Sequence, residues 1–198
     1  MAAPPEIIIH LNPSDSRLFY ILLSKGFRMA FEPGCTIKDL LCRQLRIAET
    51  YVMERIQTLF LNGKAVDDIH HAIVSDGSTL ALSAAMPGLA GAVFRSKSRY
   101  SAMRESISYS GPEKESFEGV GVIELKLFNL VANEIGDIFL DRGILTGGRD
   151  ICNIFENHAV LLENPDNIIM VDGNQTNGPG LLSSGIDTQD VWLKIPMG

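Results

Sequence analysis

Apolar and polar positions along the first 84 residues predict a small sheet that is covered by one helix. Residues 18–23 (LFYILL) and 27–31 (FRMAF) are apolar and flank the tripeptide SKG. Gly26 of that tripeptide can take the positive φ of a tight turn, so these two runs predict a β-hairpin.

An amphipathic helix is predicted directly after this hairpin. Thr36 is a suitable N-cap, and Ile37, Leu40, Leu41 and Leu45 recur at the spacing of one helical face. We expect these four apolar side chains to cover one face of the sheet.

Two further strands follow the helix. Residues 57–61 (QTLFL) predict a strand that ends at an Asn-Gly turn, and residues 79–84 predict a last strand after the Asp-Gly turn at 76–77. A hairpin, one helix, a strand, a turn and a strand form the order that is typical of the β-grasp, or ubiquitin-like, fold. A small sheet cannot bury its apolar face alone, and a single amphipathic helix closes it.

The second half of the chain predicts a different α+β arrangement. Apolar residues recur at near-helical spacing over 121–142, which indicates a buried helix, and a shorter helix is expected at 150–157. Residues 167–171 and 191–195 predict strands, and the polar stretch 172–185 predicts a loop. No internal repeat is apparent.

We therefore predict an α+β protein with an N-terminal β-grasp domain at 1–92 and a smaller acidic α+β domain at 119–198. A linker over 93–118 would join them, within which residues 100–108 are compatible with a short helix. The leading strand at 6–12 either adds an edge strand to the first domain or pairs with the C-terminal half.

The charge is uneven along the chain, and it limits the classes of partner. Residues 1–118 contain 13 acidic and 13 basic side chains, whereas residues 119–198 contain 11 acidic and 4 basic ones. An acidic C-terminal half disfavours nucleic acid and anionic membranes as its partners. No apolar run reaches the length of a membrane span, and the first residues do not predict a signal peptide, so we expect a cytoplasmic protein.

Three sequence segments carry a resemblance to a known superfamily: FEPGCTIKDLL, LFLNGKAV and SDGSTLALSAAMPGLAGA. Over about residues 17–92 the chain resembles the β-grasp sulfur carriers, which include the small subunit of molybdopterin synthase and the thiamine-pathway carrier. Those carriers show a Thr-capped helix, an Asn-Gly turn, a second turn and an apolar strand that ends in a tail with Gly-Gly.

The resemblance implies a role for the tail that follows the last strand. In the family, two glycines enter a narrow channel of a partner enzyme, where the terminal carboxylate is adenylated and converted to a thiocarboxylate. Gly88, Gly91 and Ala92 are the matching carrier-tail candidates. This chain has Ala-Gly-Ala where the family has Gly-Gly, and 106 residues follow Ala92. Sulfur transfer would therefore require cleavage after Gly91 or Ala92.

We expect neither a metal nor another cofactor. Asp67, Asp68, His70 and His71 are weak candidates for a metal site on a loop, because imidazole and carboxylate suit zinc but a further ligand is not evident. The three cysteines, Cys35, Cys42 and Cys152, are too few for an iron–sulfur cluster or a disulfide framework.

The leading interpretation is a non-catalytic β-grasp module that binds a protein partner or forms a homo-oligomer. The resemblance links it to sulfur or cofactor metabolism, and neither nucleic acid nor a membrane is an expected partner. Two alternatives stay open: a sulfur-carrier precursor that is processed near Gly91, and an enzyme with its site within 119–198, where the polar loop 172–185 is the candidate.

Overall fold

The computed structural model describes residues 3–84, 109 and 119–197, and these residues form a mixed α/β protein. The chain forms two compact units. Unit 1 consists of Met1–Phe27 and Asn133–Gly198, and unit 2 consists of Arg28–Ala132. None of the described helices has the length and apolar character that crossing a membrane requires.

The described strands are numbered in chain order. They are β1 (Glu6–His10), β2 (Phe27–Phe31), β3 (Cys35–Thr36), β4 (Thr58–Leu61), β5 (Lys64–Ala65), β6 (Ile73–Val74), β7 (Thr79–Ser83), β8 (Gly121–Phe128), β9 (Ile144–Gly147), β10 (Ile168–Val171), β11 (Asn174–Thr176) and β12 (Asp190–Lys194).

The described helices are mostly short. The α-helices are Pro13–Ser16, Tyr20–Lys25, Glu49–Glu54, Leu130–Arg142, Gly148–Asn157, Ala159–Glu163 and Gly178–Leu182, with 3-10 helices at Arg17–Phe19 and Ile186–Thr188 and a π-helix at Asp39–Gln44.

The sheet of unit 1 has the strand order β11-β10-β1-β12-β9. β1 lies parallel to β12 and antiparallel to β10, and the outer pairs β10–β11 and β12–β9 are antiparallel. The leading strand therefore pairs with the C-terminal half, which was one of its two predicted places. Alternate side chains of β1 and β12 are fully buried, namely Ile7, Ile9, Val191 and Leu193.

Aromatic rings pack between the helices of unit 1. Phe19 and Phe155 meet edge to face, with ring centroids 6.1 Å apart. The helix Tyr20–Lys25 approaches the helix Leu130–Arg142 at Gly136, where a Cβ atom would lie 2.8 Å from Leu23 Cδ1. Beside this contact the Tyr20 hydroxyl donates to Asp137 Oδ1 at 2.5 Å.

The sheet of unit 2 has the strand order β2-β8-β7-β4-β5, and β3 and β6 form a separate two-stranded sheet. β7 lies parallel to β8 and antiparallel to β4. The four apolar residues of the predicted helical face are buried, as expected. Their exposed fractions are 0% for Ile37, Leu40 and Leu41 and 3% for Leu45.

Three segments differ from their predicted secondary structure. The polar stretch 172–185, which was predicted to be a loop, contains strand β11 and the α-helix Gly178–Leu182, which Asn177 caps. Residues 18–23 lie in helical structure instead of a hairpin strand, because Asn12 caps a helix that starts at Pro13 and the chain stays helical to Lys25. Residues 121–128 form strand β8 instead of the first half of a helix, since burial alternates along them with a period of two. The helix begins only at Leu130.

The two units also differ in extent from the predicted segments 1–92 and 119–198. Within unit 1, the strands that share a sheet with β1 all lie after residue 143, while within unit 2 the strands that share a sheet with β8 all lie before residue 84. This exchange of strands is long-range, so a local change in composition does not mark it.

The order of elements recurs between residues 6–83 and residues 121–194. Each stretch runs from a strand through helical structure to a second strand, then through two helical segments to a hairpin. The positions with positive φ that correspond between the stretches are Gly26 with Gly143, Asn62 with Asp172, and Gly63 with Gly173. The recurrence is therefore one of backbone geometry, which the sequence alone did not indicate.

Candidate functional site

The parallel pair β7–β8 is central in unit 2. Five residue pairs join the two strands, from Thr79 beside Glu124 to Ser83 beside Phe128. Because the strands are parallel, the chain leaves β7 at the end where β8 finishes and must return along the full strand to enter β8 at Gly121. Residues 85–120 are thus the crossover connection of two neighbouring strands.

The turn before β7 fixes the start of β8. The Val122 N–H donates to Asp76 Oδ1 at 2.7 Å, and the Gly77 N–H donates to the Val122 carbonyl at 2.8 Å. A Cβ atom at Gly121 would lie 2.4 Å from Pro33 Cγ and 2.8 Å from Asp76 Oδ1. Only glycine lets the backbone approach the turn this closely.

Tyr109 joins the crossover to the sheet. Its N–H donates to the Ala65 carbonyl at 2.9 Å, and its hydroxyl donates to the Ile73 carbonyl at 3.2 Å. Ala65 lies on β5, the last strand in the order of the unit 2 sheet. The crossover is therefore attached to unit 2 between its two ends.

The carrier-tail candidates Gly88, Gly91 and Ala92 lie outside the described residues. The structure describes the strand that precedes them, β7, and the strand that follows them, β8.

The weak metal candidates lie on the connection between β5 and β6. His71 Nδ1 is 2.8 Å from Asp68 Oδ2, and the His70 N–H donates to Asp68 Oδ1 at 2.8 Å. The hydrogen bond from His71, and then the one from the His70 backbone, lower the pKa of the Asp68 carboxyl. Within residues 3–84, 109 and 119–197, no group of three or more His, Cys, Asp or Glu side chains could hold a metal ion.

The cysteines are poorly placed for thiolate chemistry. Burial raises the pKa of Cys35, Cys42 and Cys152, and nearby carboxylates raise it further. The nucleophilic form of a cysteine is the thiolate, so a raised pKa lowers its reactivity at neutral pH.

A second candidate region is one face of the unit 1 sheet, on which apolar side chains are only partly buried. Ile8 lies beside Met170 on one side and Lys194 on the other, and Trp192 lies beside Leu145. These four apolar side chains are of intermediate exposure, and Ile168, the next outward residue on β10, is 42% exposed. We call Ile8, Leu145, Ile168, Met170 and Trp192 the open face.

Acidic side chains lie at one end of the open face. Glu6 is the cross-strand partner of Trp192, Asp190 is the preceding outward residue on β12, and Asp172 follows β10. Asp172 Oδ1 accepts from the Glu6 N–H at 2.8 Å, which holds this carboxylate beside the start of β1. The end of the face with Glu6, Asp172 and Asp190 is therefore negative, while Lys194 and His10 lie toward the other end.

The sequence prediction missed both Tyr109 and the open face. Both strands appear in the sequence as short apolar runs between polar residues, in DVWLK and in EIIIH, which predict a strand but not which of its faces is exposed. Their pairing was not predictable, because β1 and β12 lie more than 180 residues apart in the chain.

The chain matches no known protein-family model, and comparison with curated proteins and with solved structures likewise gave no match.

Proposed function

We propose that this protein is a non-catalytic β-grasp module that binds or assembles with a protein partner. The order of the unit 2 sheet supports the fold assignment. In a β-grasp sheet the first strand lies between the second and the last, parallel to the last, and the helix follows the second strand. β8, β2 and β7 take those three places in unit 2, and the helical residues 37–44 follow β2.

The observation that carries the proposal is the position of β8. A sulfur carrier needs a tail that ends in a free carboxylate, because that group is the one activated. Here residues 88–92 belong to the connection between two adjacent, hydrogen-bonded strands, and Tyr109 attaches this connection to unit 2. This placement favours a connecting role for Gly88, Gly91 and Ala92 over a role as a transferable tail.

Cleavage near Gly91 would also break the covalent connection between β8, an interior strand of unit 2, and the strands that precede it in the chain. Ile123, Leu125 and Leu127 of β8 are buried against this unit, with exposed fractions of 1%, 0% and 0%. A carrier fragment released by cleavage would lose its contacts with these side chains, and the edges of β2 and β7 that pair with β8 would become exposed. The geometry therefore supports a module that works as one continuous chain.

The proposal is tested by the mass of the protein isolated from its native cell. We expect the intact chain, together with a stoichiometric protein partner or a defined homo-oligomer by light scattering. A fragment that ends near Gly91 or Ala92 and carries sulfur in place of one oxygen would contradict the proposal and favour the carrier precursor. An intact chain that stays monomeric and recovers no partner would also contradict it.

A further inference from the structure

We propose that the open face of unit 1 is a docking surface for a basic, amphipathic segment of a partner protein. This inference rests on the proposed function, because it names the surface and the chemistry of the partner for that binding role. It does not depend on the sulfur-carrier resemblance, which covers residues 17–92 and not the strands of the open face.

The apolar part of the surface comes from four neighbouring strands. Leu145 on β9 is the cross-strand partner of Trp192 on β12, and Met170 on β10 is the partner of Ile8 on β1. The two pairs are diagonal neighbours, because Trp192 pairs with Glu6 and Ile8 pairs with Lys194. Most of the opposite side chains of the same strands are buried, among them Ile7, Ile9, Val191 and Leu193 at 0% exposure, so this sheet has one core face and one partly exposed face. Contiguous apolar surface that stays accessible to water is characteristic of interaction sites.

Trp192 is the natural anchor of such a surface. It is the only tryptophan of the chain, it is partly exposed, and it lies on an interior strand of the sheet between β1 and β9. Tryptophan is enriched among the residues that dominate the binding energy of protein interfaces. Its position on an interior strand also means that its backbone is held on both sides, so the anchor needs little ordering when a partner binds.

The charge of unit 1 indicates the class of partner. Unit 1 contains 12 acidic and 5 basic side chains, whereas unit 2 contains 12 of each. The whole net charge of −7 therefore belongs to unit 1, and three of its carboxylates, those of Glu6, Asp172 and Asp190, lie at one end of the open face. A segment that presents Lys or Arg beside apolar residues is complementary to this arrangement.

Other occupants fit the charge less well. Nucleic acid and anionic lipid would be repelled by unit 1, since both carry the same sign of charge. A second copy of this chain would bring a unit of net charge −7 against another such unit. The basic protein segment is the occupant that relieves the negative charge and covers the apolar residues together.

The experiment uses the full-length chain and a random 16-residue peptide library displayed on phage. We expect the recovered peptides to carry a net positive charge and to contain apolar residues next to Lys or Arg. Binding of the recovered peptides should weaken at least about tenfold in Trp192→Ser and in Ile8→Gln, which is the size of effect expected for an anchor residue. The matched control is Ile21→Gln, which changes an isoleucine of unit 1 that is 49% exposed but lies on a helix.

A variant that removes two carboxylates measures the contribution of charge to binding separately from that of the apolar residues. Glu6→Gln combined with Asp190→Asn should weaken the peptides about three- to tenfold at low salt, and the loss should disappear at high salt because screening removes long-range attraction. Circular dichroism and thermal unfolding of every variant show that the fold is intact. The perturbed backbone amides in NMR spectra of the labelled chain should map to β1, β9, β10 and β12.

Several results would overturn the inference. Recovered peptides that are neutral or acidic, or that still bind Trp192→Ser and Ile8→Gln, would do so. A dimer that Ile8→Gln dissociates would replace the basic segment with a second copy. If a native partner binds the intact chain at another surface, the docking surface is wrong while the proposed function stands. If the native protein is cleaved near Gly91, the proposed function itself is wrong.

Discussion

Cutting the chain between the two predicted domains should not separate them. A specific protease site inserted after Ala92 would divide the protein into residues 1–92 and 93–198. If these pieces were two independent domains, they would dissociate after the cut. The observed strand exchange predicts the opposite, because β1 of the first piece lies between β10 and β12 of the second, and β8 of the second piece lies between β2 and β7 of the first.

The expected strength of this association follows from the exchanged side chains. Ile7 and Ile9 of β1 are 0% exposed, and the inward residues of β8 are equally buried, namely Ile123, Leu125 and Leu127. Exposing five such side chains costs about 8–15 kcal/mol, at about 1.5–3 kcal/mol each. That equals the whole stability of a typical domain, about 5–15 kcal/mol. Separated pieces are therefore expected to unfold.

Size-exclusion chromatography of the cut protein, with circular dichroism of the eluted peak, measures the outcome. We expect one peak that contains both pieces and keeps the spectrum of the uncut chain. In the cut protein, Leu125→Ala should release the pieces at a lower urea concentration, while the control Lys126→Ala, on the partly exposed side of β8, should not. Two peaks that each retain a folded spectrum would refute the strand exchange.

Two further changes test the packing of unit 1. Gly148→Ala should lower the free energy of unfolding by about 3 kcal/mol, because its Cβ would lie 2.0 Å from the Ile186 carbonyl oxygen. In the neighbouring control Gly147→Ala, the added Cβ would lie 3.7 Å from Asp150 Oδ2, so its free energy of unfolding should fall by less than about 1 kcal/mol. Urea denaturation measures both variants, and equal losses would contradict the close approach at Gly148. Burial, and then the hydrogen bond to Asp137, raise the pKa of Tyr20 from 10.0 to about 12. The folded state keeps the phenolic proton where the unfolded state loses it, so this contribution to stability is complete below pH 10 and is lost as the pH rises toward 12. Tyr20→Phe should remove that alkaline decline in urea denaturation curves, and a difference from the parent that does not vary with pH would contradict the role of the phenol.

Local sequence signals predicted those elements that short-range chemistry controls. The apolar stripe from Ile37 to Leu45 is buried, and Asn62 and Gly63 both take the positive φ of a hairpin turn, 51° and 77°. In each case the determining contacts lie within a few residues, between an amphipathic face and its sheet or within the turn itself.

Two segments carry a local signal for their observed structure together with a second signal for the other type of secondary structure. The Asn12-Pro13 pair is a helix start, and Phe19, Leu22 and Leu23 recur at helical spacing, yet the apolar run 18–23 suggested a strand. In 123–127 apolar and charged residues alternate (IELKL), which indicates a strand, although Val122, Leu125 and Phe128 also fit a helical period. A short apolar run fits both periods, and tertiary pairing decides between them.

The pairing that builds the open face could not be predicted in the same way. Ile8, Met170 and Trp192 become neighbours only when β1 enters a sheet formed by the last third of the chain. Each of these strands by itself is a few residues long and fits either a core strand or an edge strand. The candidate surface therefore depends on topology, and no single motif contains it.

Backbone geometry recurs along the chain to a greater extent than charge does. Residues 6–83 and 121–194 share part of their order of elements and three positive-φ positions, although β3 and β6 occur only in the first stretch and the helix Gly178–Leu182 only in the second. The charge is not shared, since unit 2 is neutral and unit 1 carries the whole net charge of −7. Net charge determines partner choice and encounter rate more than it determines fold. If unit 1 had only a structural role, replacing its outward Asp and Glu residues with Asn and Gln would change neither stability nor partner binding. A loss of partner binding at unchanged stability would assign the recognition role to unit 1.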